Sequence, residues 1–247
     1  MIRQLFISDL HLDQSRPDIT AALDEFLSHN LGKVDQLYIL GDLFEAWIGD
    51  DNPSELSDAV AQSLHLFASA GAELFFAHGN RDFLLGDVYA GRCKAQILPE
   101  QTVIETAIGP LLIMHGDSLC VDDTDYQDFR RMVRTLQWQQ QFLDQPLAQR
   151  QAFAEQARAQ SAAATAGKKN EIMDVNALAV SQNLEKAKAT TMLHGHTHRP
   201  AIHELDNSGG KRIVLGDWDK LGWYASIDST GLKLESFEFG SLAKTSP

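Results

Sequence analysis

Three short apolar runs stand in the first third of the chain: Leu5-Phe6-Ile7-Ser8, Leu37-Tyr38-Ile39-Leu40 and Leu74-Phe75-Phe76-Ala77. Such runs are too short for helices and suit strands buried on both faces. Between them lie two stretches of helical spacing. Ile19, Leu23, Phe26 and Leu27 share a face from Asp18 to Asn30, with Gly32 closing it; Leu56, Val60, Leu64 and Phe67 share one from Pro53 to Ala70, with Gly71 as the stop. Strand, helix, strand, helix, strand predicts a parallel α/β sheet. In such sheets the polar residues of a site gather past the carboxyl ends of strands. Asp9, His11, Asp42 and Asn80 all fall there.

Further on, Thr102–Thr106 and Leu111–Met114 read as a hairpin around Gly109-Pro110. The stretch from Asp125 to about Gly167 is rich in Gln, Ala and Arg at helical spacing, and predicts a helical insertion over 124–170 within one domain of 1–247. Thr191-Met192-Leu193 is a strand delivering His194-Gly195-His196-Thr197-His198-Arg199-Pro200. The tail carries short strands with turn signals at Asn207–Gly210 and Ser229–Gly231.

Composition narrows the function. With 247 residues, 44% of them hydrophobic, the chain can bury one sizeable core. A net charge of −13 argues against nucleic-acid binding as the main task. Cys93 and Cys120 offer neither a disulfide framework nor a thiolate metal site, and read as buried thiols of a reducing compartment. Residues 1–7 show no secretory signal, and no stretch has the ~20 apolar residues of a membrane span. A cytoplasmic protein that touches a membrane surface fits these bounds.

Five stretches share one form, an apolar strand followed by a Gly-containing turn bearing Asp, Asn or His. They are Asp9-Leu10-His11, Gly41-Asp42, Gly79-Asn80, His115-Gly116-Asp117 and Gly195-His196-Thr197-His198. Singly, each has a bland reading as a turn former or a satisfied polar residue. Together, at the strand ends of one sheet, they predict a cluster of oxygen and nitrogen donors. His196 and His198 share a side of an extended segment, and Gly195 lets the backbone approach. A set without thiolate suits Mn²⁺, with Fe²⁺, Co²⁺ or Zn²⁺ compatible. The donors exceed the needs of one ion, and Asp42 is the natural bridge in a two-metal site for displacement at phosphorus.

In this order the motifs resemble the calcineurin-like metallophosphoesterase superfamily, over residues 9 to 198. The resemblance implies an α/β sandwich of two mixed β-sheets flanked by helices. It implies one ion held by Asp9, His11, Asp42 and His198, and a second by Asp42, Asn80, His115 and His196. His194 precedes the motif and is expected to be structural.

Most members carry His after the Asn; here it is Arg81. Arginine stays charged but can grip phosphate in a bidentate fashion. That suits a leaving group needing its charge neutralised, as when a pyrophosphate bond breaks. A plain ion pair with Asp82 is the alternative. Arg81, the Gly41–Asp50 segment, the Arg/Gln-rich insertion and Glu171–Asn176 make nearly the whole chain similar to the UDP-2,3-diacylglucosamine pyrophosphatases of lipid A synthesis. This resemblance implies Mn²⁺-dependent hydrolysis of that substrate, with Asp42, Asn80, Arg81 and His115 in the catalytic machinery. It implies substrate contacts from Asn80, Arg81, Asp123, Ser161, Thr165, Lys168 and His196. It also implies a peripheral association with the cytoplasmic face of the inner membrane; a monomer is expected. A related phosphodiesterase acting on another nucleotide remains an alternative. Seven Lys/Arg against four acids give the insertion a net charge of +3, suited to an anionic substrate or membrane. Its Trp138, Phe142, Leu147 and Phe153 either line an acyl-chain groove or form a packing face.

Overall fold

The apolar runs become β1 (Gln4–Ile7), β2 (Gln36–Ile39) and β3 (Glu73–Phe76). A computed structural model describes residues 2–167, 174–205 and 209–242, the side chains of 162–167 excepted. The three strands pair in parallel register, placing Phe6 beside Tyr38 beside Phe75. Those rings stack at centroid distances of 4.9 and 4.7 Å. Strand alternation sends neighbours to opposite cores. Leu5, Ile7, Leu37, Ile39, Leu74 and Phe76 pack with the buried faces of α1 (Pro17–Asn30), α2 (Glu55–Ser69) and α3 (Asp87–Cys93). Phe6, Tyr38 and Leu40 pack with Leu111, Ile113, Leu193 and Ile213 of a second sheet.

The first sheet is completed by β4 (Ala95–Ile97), β10 (Leu221–Asp228) and β11 (Gly231–Glu238), in the order β11-β10-β1-β2-β3-β4. The second contains β5 (Gln101–Thr106), β6 (Gly109–Met114), β7 (Thr191–His194), β8 (Ala201–Leu205) and β9 (Gly210–Val214), ordered β5-β6-β7-β9-β8. Both are mixed: the first is parallel from β1 to its β4 edge and antiparallel on the β10–β11 side, and the second is parallel inside with antiparallel strands at both edges. Helix α7 (Ala177–Ala187) covers the second sheet's outer face through Val180 and Leu184. Between β6 and α7 the chain inserts α4 (Thr124–Val133), α5 (Leu136–Leu143) and α6 (Leu147–Gly167).

Two expectations need correction. The five polar turns belong to two sheets, because β6 and β7 pair with each other and not with β1–β3. The hairpin turn is Ala107-Ile108, since Thr106 pairs with Gly109. Gly109 takes the positive φ of 98° that leaves the turn, and Pro110 precedes Leu111, the first residue paired to β7.

Candidate metal centre

The loops after β1 and β2 stay hydrogen-bonded beyond the strands. Asp9 N–H donates to Gly41 O at 3.1 Å and His11 N–H to Asp42 O at 3.0 Å. Gly195 N–H donates to His115 O at 2.8 Å across the other sheet. Among the described residues, seven non-glycine residues have positive φ; five are Asp9, His11, Asp42, His196 and His198, at 50–68°. Lys94 and Lys188, the other two, simply cap helices. A left-handed non-glycine residue costs on the order of 1–3 kcal/mol, and its persistence needs a rigid surround. Here that strain is concentrated on the donors.

These backbones bring the side chains to one place. His11 Nε2 lies 3.3 Å from His198 Nε2, and His198 Nε2 lies 3.3 Å from Asp9 Oδ1. Asp42 Oδ2 is 3.8 Å from His11 Nε2 and 3.7 Å from His115 Nε2, between the two halves. Asn80 Oδ1 lies 2.9 Å from both His115 Nε2 and His196 Nδ1. Asp9 also falls within reach of Asp42 and His115, so it adjoins both halves and not only the first.

The protonation pattern matches metal ligation. His115 Nδ1–H donates to Leu40 O at 2.8 Å, which orients the ring so that Nε2 faces the Asn80 oxygen at 2.9 Å. Glu45 Oε2 lies 3.0 Å from His11 Nδ1 and Asp217 Oδ2 lies 3.5 Å from His198 Nδ1, so a carboxylate stands behind each ring. Once the inward-facing nitrogens of His11 and His198 give up their protons, acceptors face acceptors, an arrangement a shared cation makes favourable. Asp9 and Asp42 are almost wholly buried, at 0% and 2% exposure. Buried carboxylates of this kind are paired or bind metals. Burial disfavours charge on Asp9, yet its hydrogen bond to His198 and the surrounding histidines hold its carboxyl well below the usual range. Burial, with His115 close by, pushes the pKa of His196 down to about 4 and so keeps it neutral, ready to ligate.

His194 is structural, as expected. Its Nδ1 lies 2.8 Å from Gly195 O, its Nε2 lies 3.3 Å from Arg212, and burial pushes its pKa down to about 3. Asp82 is not the partner of Arg81. It is fully buried and accepts the N–H groups of Leu43, Gly79 and Asp42 at 2.7, 2.9 and 3.2 Å, tying the β2 loop to the β3 loop. Arg81 Nη1 stands instead 3.6 Å from Glu45 Oε1.

Asn80 and Arg81 line a cavity of about 320 Å³ that runs under the insertion. Trp138, Phe142 and Phe153 form its apolar wall, with Asp123 and Ser161 beside them. Leu147 is not among them: it opens α6 at the surface, 39% exposed. Thr165's side chain and Lys168 lie outside the described residues. Helix α4 is docked by Tyr126 OH and Arg130 Nε, each donating at 2.7 Å to buried Asp117, and by Arg134, donating at 2.7 Å to Gly79 O. Arg150, almost fully buried, donates to Ile48 O at 2.6 Å and also pairs with Asp51. Much of the insertion's positive charge is thus turned inward.

Sequence reasoning passed over Glu45 and Asp217, and took Asp82 only as a possible partner of Arg81. Asp217 carried a usable signal: Gly216-Asp217 follows the apolar Ile213-Val214-Leu215, a sixth example of the same form. Glu45 and Asp82 had none beyond lying near Asp42 and Asn80.

A UDP-2,3-diacylglucosamine hydrolase of Cellvibrio japonicus is 50% identical over 236 residues, covering 95% of this chain and 98% of its own. One of Xanthomonas oryzae pv. oryzae is 50% identical over 242 residues, covering 94% and 98%. Among solved structures, Chaetomium thermophilum Vps29 aligns over 97% of this chain and 100% of its own, with 11% identity and a TM-score of 0.47. The model of the calcineurin-like phosphoesterases matches residues 2–200, and the chain belongs to that family.

Proposed function

We propose that this protein hydrolyses the pyrophosphate bond of UDP-2,3-diacylglucosamine, giving UMP and 2,3-diacylglucosamine 1-phosphate. The observation that carries this reading is that an apolar cavity shares its wall residue Asn80 with a cluster of metal-ligating donors. A diacyl sugar phosphate needs both. Near-full-length relatives named as hydrolases of this substrate support it.

In hydrolysis a water oxygen joins one phosphorus, and that phosphorus loses its bond to the bridging oxygen. The bridging oxygen leaves with the electron pair on the second phosphate. Two Mn²⁺ ions fit the donor set: Asp9, His11, Asp42 and His198 would hold one, and Asp42, Asn80, His115 and His196 the other. Bound there, such ions supply Lewis acidity, readying water near neutral pH and offsetting charge at phosphorus. Arg81 neutralises the leaving phosphate through its guanidinium. Trp138, Phe142 and Phe153 exclude water from the acyl chains. Asp123 and Ser161, which line the cavity, contact the sugar in this reading, and we assign Thr165 and Lys168 the same role.

The insertion serves as the lid of this site and as the membrane-facing surface. It exposes Phe129, Met132, Leu136 and Leu143. No helix among the described residues is long and apolar enough to cross a membrane, so the association we propose is peripheral.

The test is direct. Purified protein with UDP-2,3-diacylglucosamine and Mn²⁺ should yield equimolar UMP and monophosphoryl lipid, and a chelator should stop it. Turnover of simple phosphodiesters with none of the UDP-lipid would overturn the assignment.

A further inference from the structure

The insertion carries five described arginines, four of them engaged. Arg130 and Arg134 meet Asp117, Arg131 meets Asp128, and Arg150 meets Asp51. Arg158, half-buried on α6, forms no direct ion pair or hydrogen bond among the described residues, and its charge acts at longer range on Asp13 and Glu45. With no donor engaged at close range, its guanidinium fork is open to an anionic ligand.

Its surroundings say which ligand. Besides the apolar cavity on the Asn80–Arg81 side, a groove of about 430 Å³ runs past Asp9, His11, Asp13 and Asp217. Glu45 and Arg158 are the two residues common to both walls. On the reaction proposed above, on which this step rests, the acyl half of the substrate occupies the cavity. The nucleotide half then extends into the groove, and the diphosphate crosses the rim between them. Glu45 repels phosphate and already faces His11 and Arg81. The cation at that rim is Arg158.

The geometry points to Arg158 as a second phosphate-binding arginine, which grips the uridylyl phosphate from the insertion side while Arg81 holds the sugar phosphate. Two planar forks, one from the core and one from the insertion, match the two anions of a diphosphate. Turnover then depends on α6 being docked, because α6 delivers a group that touches substrate.

Full-length, Mn²⁺-loaded wild type, Arg158→Ala and Arg158→Lys are compared in two assays. On UDP-2,3-diacylglucosamine, R158A should lose about 10²-fold in kcat/KM, with R158K between the two because it keeps the charge without the fork. In calorimetry with imidodiphosphate, R158A should bind at least about tenfold more weakly. Mn²⁺ content and Tm should not change. Values for R158A within about threefold of wild type in both assays would overturn the proposal. So would a loss matched by lost Mn²⁺ or a lowered Tm. If wild type leaves the UDP-lipid intact while imidodiphosphate binding still needs Arg158, the proposed reaction fails and the diphosphate site stands.

Discussion

The Nε2 atoms of His11 and His198 face each other at 3.3 Å, and each ring has a carboxylate behind it, Glu45 at 3.0 Å and Asp217 at 3.5 Å. Outer carboxylates of this kind fix ring orientation and raise ligand basicity. The pair comes from opposite ends of the chain and from two different sheets, so the site exists only when the sandwich is assembled.

Metal uptake at this pair competes with protons. Burial opposes charge on His11, but the Glu45 hydrogen bond and the Asp42 and Asp9 charges outweigh it and lift the pKa to about 9. His198 is raised too, its hydrogen bond to Asp9 overcoming burial. Below their raised pKa values the rings hold protons that a metal must displace, so affinity rises with pH toward 9 and falls on acidification. From pH 8 to pH 6 the Mn²⁺ Kd should weaken by roughly tenfold per unit for each proton displaced. Calorimetry in buffers of differing protonation enthalpy counts those protons. A pH-independent Kd would contradict this picture.

Gly79 leaves no room for a side chain. A Cβ there would stand 2.1 Å from Asp42 Oδ1 and 2.3 Å from Asp42 N. Neither atom is free to yield, because Oδ1 accepts from Arg81 N–H and the N–H donates to Asp82. Gly79→Ala should displace Asp42 and cut kcat by about 10²-fold or more, since misplacement by about 1 Å has that effect. Mn²⁺ content should fall with it. Metal analysis showing a full complement in an active variant would contradict the crowding argument.

Arg81 contacts no proposed metal ligand through its guanidinium, whose near neighbour is Glu45. Arg81→Ala should therefore lower kcat/KM by about 10²–10³-fold with Mn²⁺ content unchanged. Parallel losses of activity and metal in a titration would make Arg81 a structural residue.

Trp138 stacks on Phe142 at 4.7 Å and meets Phe153 at 5.6 Å along the cavity wall. Trp138→Ala should raise KM for long-chain substrate by about tenfold and leave a short-chain analogue nearly unaffected. It should also cost about 2 kcal/mol of packing and lower Tm by about 4–8 °C. Equal KM changes for both substrates would remove Trp138 from the acyl site.

The donor residues were legible because each follows an apolar run, and that form survives without knowledge of pairing. Which sheet each run joins was not legible: β6 and β7 pair in parallel although α4–α7 separate them in the chain. Helix α3 has seven residues with a glycine inside, and β4 has three, too short for a periodic signal. The charge count of the insertion was correct but could not tell Arg150, sealed against Asp51, from Arg158, open to the site. Burial and pairing are tertiary facts that a local pattern does not carry.

Hydrolysis of UDP-2,3-diacylglucosamine in ¹⁸O-water, followed by mass spectrometry of both products, tests the centre most directly. Arg81 lines the cavity assigned to the acyl sugar, which makes the sugar phosphate the leaving group and the uridylyl phosphorus the point of attack. The label is expected in UMP, only when Mn²⁺ is present, and not when Asp42 is replaced by Ala. Label in the sugar phosphate, or label gained by Asp42→Ala at the wild-type rate, would contradict it.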